Sequence, residues 1–271
     1  MNVSAVPGVV RVLSTAVVAV VPVCGMNAQS TLDASSAMLP PDCYLRQEVV
    51  PYPSLREADV MWERRVWRVV DLGQPQNAAW RAPTGHVGGC YSLFAIIRNG
   101  LLLEGAITAF DAGPAGKDDA FQRTMDPDAL VELLDGPEGV QESEATRYMI
   151  KEDWIFDKQR GTMDVRIIGL APMREVRGED GELRGHALLF WLHFPECRPL
   201  FARWLAFRDV DGTDHSFEEL FAARRFRGTI LKVGNAMYRS TDEYKIGLDA
   251  LLEAEGVREQ LFRLHFDLWN Y

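Results

Sequence analysis

Two β-rich runs, Arg147 to Asp157 and Thr162 to Val176, are separated by four residues that include Gln159-Arg160-Gly161. In the second run Met163, Val165 and Ile167 alternate with Asp164 and Arg166, the period-two pattern of a half-buried strand. So short a link makes the two runs an antiparallel pair. Asp180-Gly181 then supplies a tight hairpin turn. The run after it, His186 to Phe194, is apolar on both faces and is expected to be a central strand. Gly228 to Val233 reads as another strand.

Helices are expected on both sides of this sheet. Ser54-Leu-Arg-Glu57 has the form of a capping box, in which the Ser hydroxyl and the Glu carboxylate each satisfy a backbone N–H. It predicts a helix to about Asp71 with Val60, Trp67 and Val70 on one face. Ser92 is placed to cap a very apolar helix reaching about Glu104. Asp126-Pro127 opens a short helix that Gly136 closes. Arg198-Pro199 starts another, and Ser216-Phe-Glu-Glu219 is a second capping box leading to about Phe226. The last thirty residues read as one long helix. Val257, Leu261, Leu264 and Leu268 form a stripe, and Glu259 and Arg263 make a favourable i,i+4 pair. The class is α+β: an antiparallel sheet flanked by helices, with an extended N-terminal leader and a long C-terminal helix.

The N-terminus carries Arg11 and then an apolar run from Val12 to Val23. A helix of that length spans roughly 18 Å, short of the ~30 Å hydrocarbon core. Small residues follow, so residues 1–28 are expected to be a secretory signal cut after Ala28. Cys24 raises lipid attachment as an alternative, but Val23 before it is not small. Residues 29–53, with SSAMLPPD and PYP, read as an extended leader that lies on a partner or is disordered. Residues 54–271 are expected to form a single domain. After export the chain meets oxidising conditions with Cys43, Cys90 and Cys197. Cys43 and Cys90, both in loop-like segments, are the expected pair, leaving one thiol over.

With 29 Lys and Arg against 39 Asp and Glu, the net charge is −10. That balance argues against a nucleic-acid binder and against adhesion to anionic lipid. No complete catalytic set emerges. Gly113-Pro-Ala-Gly116-Lys117 lacks the Walker spacing, and Asp118 would repel phosphate. His186 and His193 are seven residues apart, so one regular strand would place them on opposite faces, and no metal site is expected. Asp153 and Asp157 on one strand would lie roughly 13 Å apart, beyond the ~5–9.5 Å of glycosidase pairs. Their expected role is to charge an edge strand against aggregation. His193 and Cys197 are the residual candidates for a thiolate dyad, with a buried structural cysteine the favoured reading. Seven tryptophans make the chain rich in anchor chemistry, with Trp154 and Phe156 on one strand face and Trp269 at the terminus.

Four blocks carry a resemblance. They are Ala58 to Leu72 (ADVMWERRVWRVVDL), Ile150 to Met173 (IKEDWIFDKQRGTMDVRIIGLAPM), Leu189 to Arg203 (LFWLHFPECRPLFAR) and Leu248 to Tyr271 (LDALLEAEGVREQLFRLHFDLWNY). With them the chain resembles the GldN/PorN family, periplasmic components of the type IX secretion and gliding machinery of Bacteroidetes. The resemblance implies an assembly subunit and not an enzyme, with no cofactor, metal, nucleic acid or small-molecule substrate. It implies a location at the inner face of the outer membrane, in a ring with a GldK/PorK-like lipoprotein. It further implies a link to a GldM/PorM-like shaft driven with GldL/PorL. Trp154, Phe156, Arg198 and Trp269 lie in the matching blocks and are the expected partner contacts. The chain's own acidity implies a more basic partner between neighbouring copies. The competing readings are a binding module for peptidoglycan or cargo, and a periplasmic hydrolase using Asp153, Asp157 or His193–Cys197.

Overall fold

The computed structural model describes residues 43–81, 91–113, 118–178 and 180–234, together with residues 259 and 263. These all lie in one compact unit, Pro40–Tyr271. Several expectations fall outside the described residues: the signal and residues 29–42 of the leader, Cys90, the 114–117 loop and Trp269. The C-terminal helix does so too, apart from Glu259 and Arg263, which are helical and paired at 2.6 Å as expected.

The centre of the molecule is the expected hairpin. Strand β3 (Ala145–Asp157) pairs antiparallel with β4 (Thr162–Arg177) from Ala145↔Arg174 to Asp157↔Thr162. At its turn the Asp157 carboxylate accepts the backbone N–H groups of Gln159 and Arg160, and Gly161 takes φ 62°, where a side chain is disfavoured. The remaining strands are β1 (Val60–Asp71), β2 (Ala109–Phe110), β5 (Leu183–Leu188), β6 (Trp191–His193) and β9 (Thr229–Gly234). They complete a seven-stranded antiparallel sheet in the order β2-β6-β4-β3-β1-β9, with β5 alongside β4. A separate hairpin joins β7 (Leu205–Arg208) to β8 (Asp214–Ser216). Among residues 43–234, four α-helices accompany the sheets: α1 (Leu93–Leu102), α2 (Pro127–Asp135), α3 (Phe194–Ala202) and α4 (Phe217–Ala222). The α+β class with its antiparallel sheet is as the sequence implied.

One segment corrects the reading of the sequence. Residues 60–71, expected as a helix, are β1, and only Glu57–Asp59 makes a helical turn, of the 3-10 kind. In the structure Ser54 does not cap it; Arg56 stands at the N-cap position and gives no side-chain bond. The segment VMWERRVWRVVD places Val66 and Val70 in the core at strand spacing, and β3 and β9 supply hydrogen-bonding edges on both sides. Tertiary pairing overrides the weak helical signal here.

Smaller corrections follow the same logic. The expected strand over His186–Phe194 is two short strands, β5 and β6, and only β6 has a neighbour on each side, β2 and β4. His186 and His193 therefore do not share a strand. Helix α3 begins at Phe194, with Pro195 in its first turn, and Arg198 sits in its middle. The Ser216–Glu219 capping box forms as expected, but α4 ends at Ala222. Ser92 caps α1 through the Ala95 N–H, and Asp126 caps α2 through the Ala129 N–H, both as the sequence implied.

Successive residues of β3 point to opposite faces. Tyr148 packs against Trp80, with ring centroids 5.3 Å apart, and Trp80 meets Phe221 at 4.9 Å and Phe226 at 5.5 Å. Phe194 and Phe201 close this aromatic box from α3. On the other face Met149, Ala171, Met173 and Trp191 form a second cluster, with Trp67, Phe110 and Phe121 against it. Gly169 is required there: a Cβ would come within 2.6 Å of the Phe121 ring. Cys43 is buried and disulfide-bonded, while Cys197 is free, so the Cys90 half of the expected pairing lies outside the described residues.

Candidate partner interface

β3 is central, flanked by β1 and β4, so Asp153 and Asp157 do not charge an edge strand. Each is consumed by its own arginine. Asp153 takes a bidentate pair from Arg65 at 2.6 and 2.7 Å, and Asp157 binds Arg160 at 2.6 Å. The side-chain and backbone bonds from Arg160 hold the Asp157 carboxyl below the usual carboxylate range. The two carboxylates serve different ends of the fold and do not converge on a shared centre.

His193 and Cys197 also part company. The Cys197 thiol donates to the His193 backbone carbonyl at 3.4 Å, while the His193 ring lies 3.0 Å from Glu196. Burial, followed by the nearby Glu196 charge, pushes the thiol far up and keeps it protonated.

The residue that organises this region belongs to none of the candidate catalytic or contact sets. Glu152 is fully buried in β3. Its Oε1 accepts from Arg224 Nη2 at 2.7 Å and from Arg68 Nε at 3.3 Å, and its Oε2 accepts the Trp154 indole N–H at 2.8 Å. Arg68 also donates to the Gly228 carbonyl at 2.9 Å. One carboxylate thus ties β3 to β1 through Arg68 and to the second residue after α4, Arg224, while Arg68 reaches on to the approach to β9. Arg224 reaches it from φ 53°, a left-handed conformation that a non-glycine residue adopts only at a cost. The signal for Glu152 was present in the sequence: Lys151-Glu152-Asp153 puts three charges between the apolar Met149-Ile150 and Trp154-Ile155-Phe156.

Trp154 is held by that hub. Its indole N–H is fixed, the Arg224 guanidinium lies 5.8 Å from the ring, and it packs beside Val66 and Ile230. Cross-strand register puts Arg64 opposite Trp154 and Trp62 opposite Phe156, and Arg64 lies over the Trp62 ring at 5.6 Å. Of the expected anchors among the described residues, only Trp154 is more than marginally exposed. Phe156 is 7 % exposed and belongs to the core. Trp62, Arg64 and Trp154 are each half-buried, with Trp62 and Trp154 packed against Val66 and Ile230.

Arg198 is likewise inward-facing, with 7 % exposure. Its Nε and Nη2 bind Glu218 at 2.8 and 2.6 Å, its Nη2 also donates to the Val50 carbonyl at 2.7 Å, and its guanidinium stacks 4.1 Å from Tyr52. Arg166 completes a clamp by donating to the Pro53 carbonyl at 2.7 Å. Burial raises the Glu218 carboxyl, against the opposing pull of Arg198. The described part of the leader thus lies on the chain's own body, beside a stretch of β4 that precedes its pairing with β6 and β5. Val50 itself is 76 % exposed, so it is held through its carbonyl and not through its side chain.

A third tie works on the opposite sheet face. Lys151 donates to the Asp119 carbonyl at 2.6 Å, and the Trp67 indole donates to the Asp119 carboxylate at 2.7 Å. Burial pulls the Lys151 ammonium below its ordinary range, with Asp119 opposing. This latch holds Phe121, at φ 55°, over Gly169.

Three charged or polar ties hold the central sheet to the elements around it. The model of the family described as "Gliding motility associated protein GldN" matches residues 55–270. The chain belongs to the GldN family. No curated protein matches it. The GldN match takes in the whole described sheet and all four helices, and with them Glu152, Trp154, Arg166, Arg198 and Glu218. It begins at Leu55, just after the clamped strap, so the receptor of the clamp falls within the GldN match and Val50–Pro53 precede it.

Proposed function

We propose that this GldN-family chain is a non-catalytic structural subunit of the type IX secretion and gliding machinery. In this reading it is exported to the periplasm and forms a ring with a GldK/PorK-like lipoprotein beneath the outer membrane. A GldM/PorM-like shaft is its second contact. The observation that carries the reading is the GldN match over residues 55–270. The disposition of the candidate chemistry supports it, because Asp153, Asp157 and Cys197 are each committed to internal bonds. Trp62, Arg64 and Trp154 form the face assigned to partner contact, since tryptophan and arginine dominate binding hot spots.

A C-terminally tagged chain, recovered from gently solubilised outer membrane, tests this. The expected result is elution in a very large particle together with a lipoprotein. Elution alone as a monomer, in detergent and again without it, would overturn the reading.

A further inference from the structure

A cavity of about 820 Å³ opens between α1, α2 and the start of β3. Its size is within the range that small ligands and short peptide segments occupy. The carboxylates on its wall are Asp71, Asp135, Glu142 and Glu175. Asp71 pairs with Arg147, Asp135 with Arg98 and Glu175 with Arg177. Glu142 differs: it is exposed, accepts the Ser92 hydroxyl at 2.8 Å and has no cationic partner among the described residues.

Three further groups of the lining residues are unmatched. Trp80 Nε1, Thr146 Oγ1 and Tyr148 Oη are buried and have no hydrogen-bond partner. All three can donate, and the indole can do nothing else. Buried donors without acceptors are rare in folded chains, and each calls for an explanation. Burial raises the Tyr148 hydroxyl, and Glu142 raises it further, so it stays protonated and available as a donor.

A ligand that answers both needs carries a cation for Glu142 and a row of acceptor oxygens for the donors. An extended peptide with a basic side chain supplies both. We propose that this cavity receives a short peptide segment bearing a lysine or arginine, presented by an assembly partner. The proposal rests on the assembly reading above and gives that partner its chemistry. It agrees with the chain's net charge of −10, which favours a basic partner.

The probe is the capped pentapeptide acetyl-Gly-Ala-Arg-Ala-Gly-amide, with alanine in place of arginine as its control, titrated into the full chain. The arginine peptide should bind at least about tenfold more tightly than the control, and Glu142→Gln should remove that preference. Thr146→Val and Tyr148→Phe delete donors that have no partner in the free chain. Each should weaken binding severalfold while leaving the thermal midpoint at or above that of the parent. That pattern separates a ligand role from a structural one, which would lower the midpoint. No binding of the arginine peptide at about 1 mM overturns the proposal. So does equal binding of both peptides, or binding that all three variants leave unchanged. If the large particle forms and the peptide fails, the cavity assignment falls and the assembly reading stands; the reverse result removes the assembly and keeps the site.

Discussion

The two halves of β3 bury the same sheet face by opposite chemistry. Around Tyr148 the strand meets Trp80, Phe221 and Phe226, rings packed edge to face with little directional demand. Four residues on, Glu152 is just as deeply buried, yet its neighbours are two guanidinium groups and an indole N–H. The aromatic half gains from every ring it buries and degrades gradually when one is trimmed. The ionic half holds together only while every member is present, because a buried charge without its partner is far more costly than no charge at all. A strand can therefore be robust at one end and brittle at the other.

The sharpest way to break the contrast is Glu152→Ala. It strands Arg68 and Arg224, and a loss of about 3–5 kcal/mol is expected from chemical denaturation. A loss below about 1 kcal/mol would mean that water replaces the carboxylate and that the half is not brittle. Trp80→Ala tests the other end: about 3–5 kcal/mol for the ring and its cavity, with partial recovery in Trp80→Phe. If Trp80→Phe is as damaging as Trp80→Ala, the aromatic half is not gradual. Trp154→Phe keeps most of the ring and removes one bond to a carboxylate, for about 1.5–3 kcal/mol. The same variant should weaken recovery of the large particle, because it loosens the proposed contact face. Ser216→Ala removes one arm of the α4 capping box and should cost about 1 kcal/mol, a baseline against which both halves can be read.

The smallest effect is a pH dependence. Asp157 has a folded pKa below its ordinary value because Arg160 and two backbone N–H groups bind its charged form. Its contribution is complete above the unfolded carboxylate value and disappears as the pH falls through the lower folded value. Unfolding midpoints of Asp157→Asn should therefore approach those of the parent as the pH drops below about 4. A gap that stays constant to lower pH would show that the side chain acts through shape alone.

What was legible in the chain follows locality. The β3–β4 hairpin announces itself through alternation, a short link and Gly161, all within thirty residues. The caps at Ser92, Asp126 and Ser216 are equally local, and each accepts a backbone N–H where its spacing implies. Residues 60–71 were misread because Ser54 and Glu57 imitate a capping box, while the evidence for a strand is carried by β3 and β9, far along the chain. Trp154 was legible as a strand residue whose indole finds its acceptor, Glu152, only two positions away. Arg198 was not, because its partners Tyr52 and Glu218 are remote in sequence and only the fold brings them to it. Glu152 lay in plain view within a run of three charges, but a charge in a strand reads as solvated until its neighbours are known.

The placement of β1 has a mechanical corollary. It is continuous with the clamped strap at its N-terminal end, and it runs between β3 and β9 in antiparallel register with both. Tension entering through the strap is thus directed along the strand axis. The ladder bonds to either side would then be loaded in shear, many at once, instead of being unzipped one after another as at a sheet edge. The Arg166 and Arg198 clamp stands immediately upstream of that ladder, and the buried, disulfide-bonded Cys43 stands upstream of both.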